Sequence, residues 1–214
     1  MSRQSVRPKA VHEHEAAADA VLGHYARVAN WRPRMPVPVE QIIERCYRLR
    51  ICWEPLPERL GEIVLGALDT RARTILMNET HAGSVLRRLG PANFTFGHEL
   101  GHWVYDAIPP EQGLLFDEEG ERVLCEGTPE LPDPARLREV NANKFAACLL
   151  MPRHLVLRQL PDDLSSGALE QCADAWGVSR QTLGIRLREL GLVGPRADGG
   201  LLRTEEVARG HNAL

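Results

Sequence analysis

The stretch FTFGHELGHWVYD, residues 94–106, holds two histidines and a glutamate within five positions. On a helix, His98 and His102 are four apart and stack on one face, so both imidazoles can reach one ion. Glu99 lies about 100° further round, where it can contact a water on that ion rather than the ion itself. This is the H-E-x-x-H arrangement, in which the glutamate acts as general base. The competing reading is an ordinary helix with two stray histidines. Gly97 and Gly101 speak against it, because each costs a helix about 1 kcal/mol relative to Ala. Two such costs imply that something approaches this backbone closely.

The rest of the chain narrows the chemistry. It has 214 residues, 26 Lys+Arg against 29 Asp+Glu, and a pI near 6.3. That length suits one domain, with or without a small appendage. Hydrophobic content of 43% and charged content of 26% read as soluble and globular. The sequence shows no apolar run of the ~18–20 residues needed to cross a bilayer, and its first residues lack a signal-peptide pattern, so the expected location is cytoplasmic. Cys46, Cys52, Cys125, Cys148 and Cys172 form no CxxC pair. Histidine and carboxylate must therefore bind any metal. The weak net charge does not favour bulk nucleic-acid binding, although a local basic element remains open.

Hydrophobic spacing predicts helices over residues 12–29 and 38–48, separated by the breaker WRPRMPVP. LRICWEPL, GEIVLGALD and RTILMN read as strands of a small, mostly antiparallel sheet. ETHAGSVLRRLG reads as a helix stopped by Gly90, and Pro91 opens the next helix, which carries the histidines. Residues 109–133 hold eight acidic residues and one basic one, with Pro and Gly throughout. They read as a long loop, or a loop with a short hairpin, between two helices, able to form an acidic collar that attracts a basic partner. Asp133 and Pro134 open a helix that runs to Pro152.

A catalytic zinc ion takes three protein ligands and keeps one position open. The third ligand here comes from the acidic loop or from Glu139 on the following helix, and a rigid platform favours Glu139. Asn143, one turn on, shares its face and can hydrogen-bond the far nitrogen of a ligand histidine, fixing its tautomer.

FTFGHELGHWV, followed about forty residues later by EVNANKFAACLLMP, resembles the ImmA/IrrE family of metallopeptidases. VPVEQIIERC and TILMNE add to the likeness, which spans roughly residues 36–152. Gly97 departs from the more usual Ala. The resemblance implies an α+β fold with a zincin-type helical core and one zinc ion per chain. It implies His98, His102 and Glu139 as ligands and Glu99 as general base, with Asn143 on the family's Asn/Asp position. The mechanism implied is that of a gluzincin-like endopeptidase, for which Tyr105 and His154 are candidate oxyanion donors. His12, His14, His24 and His81 carry no partner pattern and read as surface residues.

LEQCADAWGVSRQTLGIRLRELGL has helix-turn-helix spacing, with Leu169, Cys172, Ala173, Val178, Leu183, Leu187 and Leu190 set to pack and Gly177 at the turn. Arg180, Arg186 and Arg188 are its candidate nucleic-acid or partner contacts. The expected organisation is a helical segment and connector (1–35), a metallopeptidase domain (36–160), a helix-turn-helix-like module (161–194) and a polar tail (195–214). The resemblance implies a protein substrate, a helix-turn-helix repressor of the XRE type, in stress, mobile-element or toxin–antitoxin-like regulation. The alternative is a DNA-binding regulator that keeps the peptidase fold as a sensor or scaffold. An exopeptidase is a third possibility, but the chain lacks a GxMEN-type motif for gripping a free amine.

Overall fold

Residues 8–84, 86–106, 116–117, 133–195 and 201–204 are described by a computed structural model. Helix α1 (Val11–Ala29) buries Ala18, Val21, Leu22 and Tyr25, and it ends at Asn30 in the left-handed region. Helix α2 (Val39–Tyr47) follows Pro38 and buries Val39, Ile42 and Ile43. Four strands come next: β1 (Arg50–Glu54), β2 (Glu62–Ile63), β3 (Gly66–Asp69) and β4 (Thr74–Asn78).

The main sheet has the order β1-β4-β3 and is mixed. β3 and β4 are antiparallel, paired Gly66↔Met77 through Asp69↔Thr74, while β1 and β4 are parallel, paired Arg50↔Thr74 through Glu54↔Asn78. The expectation of a mostly antiparallel sheet is therefore corrected. The turn after Asp69 makes only the β3–β4 hairpin. β1 reaches β4 by a crossover through residues 55–73, which parallel strands require. β2 pairs separately with β5 (Phe116–Asp117). The rest of the acidic stretch, apart from Asp133, lies outside the described residues, and so does the collar expected there.

The helix expected over ETHAGSVLRRLG is reduced to a 3₁₀ turn, Glu79–His81, followed by irregular turns. Asn78 Oδ1 takes the Thr80 N–H, and the His81 carbonyl collects the N–H groups of Ser84 and Leu86. Gly83 and Ser84, both poor helix formers, leave nothing to carry an α-helix onward.

Helix α3 (Leu89–Asp106) carries the two histidines. Helix α4 (Pro134–Leu150) starts as expected, with Asp133 Oδ1 accepting from Ala135 N. Phe96 and Leu100 of α3, Phe145 and Leu149 of α4, Ile75 and Met77 of the sheet, and the buried face of α1 form one core.

Helices α5 (Arg153–Gln159), α6 (Ser166–Trp176) and α7 (Arg180–Glu189) follow, then an antiparallel pair, β6 (Val193–Pro195) and β7 (Leu201–Arg203). Neither α5 nor this hairpin is evident in the sequence pattern. Ser179 caps α7, its Oγ accepting from Thr182 N. All seven residues expected to pack α6 against α7 are buried, and they belong to the same core as α1, α3 and α4. The turn between α6 and α7 rests on the start of α3. Asn93 Nδ2 donates to the Gly177 carbonyl at 2.9 Å, and a Cβ on Gly90 would meet the Val178 carbonyl carbon at 2.6 Å.

Candidate metal centre

Helix α3 presents His98 and His102 on one face, and both are buried. Their Nε2 atoms stand 2.8 Å apart. Glu139, rising from α4, brings Oε2 to 3.2 Å from His98 Nε2 and Oε1 to 3.4 Å from His102 Nε2. The three ligand atoms lie within 4.8 Å of one another. Zinc bonds of about 2.0–2.1 Å in a tetrahedron set ligand atoms about 3.3 Å apart, so this donor set has the right reach and the right chemistry for such an ion. Asn143 Oδ1 lies 2.7 Å from His98 Nδ1. A carbonyl there accepts the Nδ1–H and leaves the Nε2 lone pair toward the cluster.

The glycines explain how α4 comes so close. A Cβ on Gly101 would lie 3.1 Å from Ala142 Cα and 3.2 Å from the Ala142 carbonyl oxygen, while one on Gly97 would meet Ala146 Cβ at 3.2 Å. The object approaching the α3 backbone is therefore α4 itself. That packing carries Glu139 and Asn143, on the same helix, to the histidines.

Burial pushes the Glu99 carboxyl up to about 8; His102 opposes the shift and Glu139 adds to it. Its Oε1 is buried without a hydrogen-bond partner. Burial also disfavours charge on Glu139, but hydrogen bonds and charge from His102 and His98 outweigh it and hold that carboxyl down at about 2. Burial lowers the His98 pKa, so its neutral, ligating form is favoured. Two carboxylates forty residues apart are thus held in opposite states. Without a metal ion, the surroundings favour the anionic form of Glu139 and the protonated form of Glu99.

Sequence reasoning overlooked Gly66. It lies on edge strand β3, where a Cβ would reach Thr95 Cγ2 at 2.6 Å and Glu99 Oε1 at 3.3 Å. The only signal was a glycine inside a strand pattern, a mark of close approach. Without a side chain, β3 lies directly against Glu99.

Several expected sites are corrected. Tyr105 does not present a free hydroxyl to the cluster: its OH pairs with His14 Nδ1 at 2.8 Å, and its ring packs edge-on against Phe145. His14 is not a surface residue but fully buried, and burial lowers its pKa to about 4. His154 is half exposed, its Nδ1 4.0 Å from Asp19 Oδ1 of α1. Arg186 is unavailable to nucleic acid. It is fully buried, its Nε donating to the Met151 carbonyl and its Nη2 pairing with Glu15 at 3.0 Å. The Arg180 Nε stands 3.8 Å from Glu170, which leaves Arg188 exposed. The sequence pattern could not separate a cation that faces solvent from one that ties helices together.

Residues 68–188 match the Peptidase M78 family, described as the IrrE N-terminal-like domain. No curated protein matches the chain. The matched span runs from β3 to α7 and contains His98, Glu99, His102, Glu139 and Asn143.

Proposed function

The chain belongs to the Peptidase M78 (IrrE N-terminal-like) family, and on that premise we propose that it is a zinc-dependent endopeptidase acting on a protein partner. The observation that carries this reading is the convergence of His98, His102 and Glu139 beside the buried, unpaired Glu99 Oε1.

His98, His102 and Glu139 would hold the ion, which when bound would supply an acidified water and Lewis-acid polarisation of a carbonyl. Asn143 fixes the tautomer of His98. A cation held beside Glu99 favours its ionised form; the carboxylate takes a proton from the attacking water as the water oxygen bonds to the peptide carbon, and the C–N bond then breaks as Glu99 returns that proton to the departing nitrogen. An extended substrate can pair with β3, which ends the sheet beside Glu99 and carries no further strand among the described residues. Binding by main-chain hydrogen bonds needs no free terminus, which favours an endopeptidase.

The substrate we propose is a helix-turn-helix repressor of the XRE type, whose cleavage relieves repression in stress or mobile-element regulation. Among the described residues no helix is long and apolar enough to cross a membrane, and we place the reaction in the cytoplasm. A regulator using the fold only as a scaffold is less favoured, since it has no need of a buried base.

Co-incubation with an XRE-type repressor from the same genome, with and without a chelator, tests the reading. The wild type should yield discrete fragments that the chelator abolishes. Glu99→Gln should keep the metal and the fold yet give no fragments, because an amide cannot take the proton. Cleavage by that variant at the wild-type rate would refute the mechanism. Full metal retention by Glu139→Ala would refute the ligand set.

A further inference from the structure

We propose that the end of the sheet formed by the last turn of α2, the start of β1 and the β3–β4 turn binds the phosphate backbone of nucleic acid. The segments 45–50 (RCYRLR) and 71–73 (RAR) carry Arg45, Arg48, Arg50, Arg71 and Arg73. The fold makes them neighbours. Arg50 opens β1 opposite Thr74 of β4, and its N–H donates to the Arg73 carbonyl at 2.9 Å. Arg48 caps α2 in the left-handed region two residues earlier.

All five side chains are exposed, and none forms an ion pair among the described residues. Two of them are held in place. Arg50 Nη2 donates to the Ala72 carbonyl, and Arg73 donates to the Tyr47 carbonyl while its guanidinium lies 4.8 Å from the centroid of Trp103. Carbonyl partners fix direction without neutralising charge. The carboxylates nearest along the chain are Glu44 and Asp69, and Asp69 is turned to the Ala72 N–H. The patch therefore keeps a local excess of positive charge on a chain whose net charge is −3.

Guanidinium groups present planar forks that match phosphate oxygens. Strands about 4.8 Å apart spread them over a surface rather than a point. That arrangement fits a run of phosphates better than one bound anion. It also moves nucleic-acid binding off the segment where the sequence pattern suggested it: on α7, Arg186 is buried and Arg180 stands near Glu170. The inference does not depend on the peptidase reading.

The test is fluorescence anisotropy of a labelled mixed-sequence DNA duplex with the full-length protein, titrated across salt. Binding should weaken with salt, and Arg45→Glu/Arg71→Glu should weaken it about tenfold or more at low salt. The slope of log K against log salt should fall by about 2, one for each arginine that no longer neutralises a phosphate. Arg180→Ala/Arg188→Ala should bind like the wild type. The milder Arg45→Gln/Arg71→Gln should show the same direction if the reversal variant melts early. Wild-type affinity in both sheet-end variants, or weakening confined to the α7 variant, would overturn the assignment. So would a patch that ignores the duplex but takes a glutamate-rich polypeptide through the same arginines, which would make it a docking surface for acidic protein.

Discussion

Glu99 shows what one buried carboxyl can do at the residue scale. Without metal, its folded pKa of about 8 stands above the unfolded value of 4.5. The folded state then binds the proton more tightly, so this contribution to stability is complete below pH 4.5 and is lost as pH rises through 8. His98 and His14 have lowered values, so their contributions are lost in the other direction, as pH falls below 6.5. The window from pH 6.5 to 8 therefore isolates Glu99. In chelator-treated protein, urea unfolding should show the wild type losing about 2 kcal/mol relative to Glu99→Gln across that window, at ~1.4 kcal/mol per pH unit. Parallel stability curves would mean that Glu99 is not protonated in the metal-free fold. The identity of this residue was legible in the sequence. Its proton affinity was not, because it arises from burial and from Glu139, forty positions away.

At the scale of elements, the site depends on how near α4 lies to α3. Gly101 faces the Ala142 backbone and the Phe145 ring, whereas Gly97 faces the Ala146 methyl. Alanine at Gly101 gains about 1 kcal/mol of helix propensity, but its methyl needs α4 to move by a few tenths of an ångström. Gly101→Ala should therefore lower zinc affinity by roughly tenfold, the scale seen when a ligand's support is disturbed, with little change in melting temperature. Gly97→Ala should lose less. Competition against a chromophoric chelator measures both, and equal affinities in the two variants and the wild type would show that the interhelical distance does not set the site. The two glycines were visible in the sequence as an unexplained cost. Only the packed structure identifies the neighbour that explains it.

Across the whole molecule, Arg186 joins the last helices to the first. Its guanidinium meets Glu15 of α1 and the carbonyl at the end of α4. Removing one member of a buried pair leaves an uncompensated charge and costs about 3–5 kcal/mol. Arg186→Ala should destabilise the protein by about that amount, because it strands Glu15 and empties a fully buried site, and Glu15→Gln should cost a similar amount, because it leaves the fully buried Arg186 guanidinium without its carboxylate. Replacing both by methionine should recover most of the loss. Denaturant titration would contradict this if Arg186→Ala cost under about 1 kcal/mol, the range of a surface pair.

The sequence by itself determined which residues could form the candidate centre. The spacing of His98, Glu99 and His102 is set by helical period alone, and the Glu139–Asn143 pair repeats that period on a second helix. It also determined most elements, since α1, α2, α4, α6 and α7 announce themselves by apolar spacing, prolines and caps. Only the tertiary structure decided the parallel pairing of β1 with β4, the collapse of the expected helix after Asn78 and the burial of His14 and Arg186. It alone brought five arginines from two segments to one end of the sheet. Period and capping are local, written within a few residues, and they read the same in any fold. Strand order, burial and the surroundings of a charge depend on which distant surfaces meet, and a single turn of sequence carries no record of its eventual neighbour.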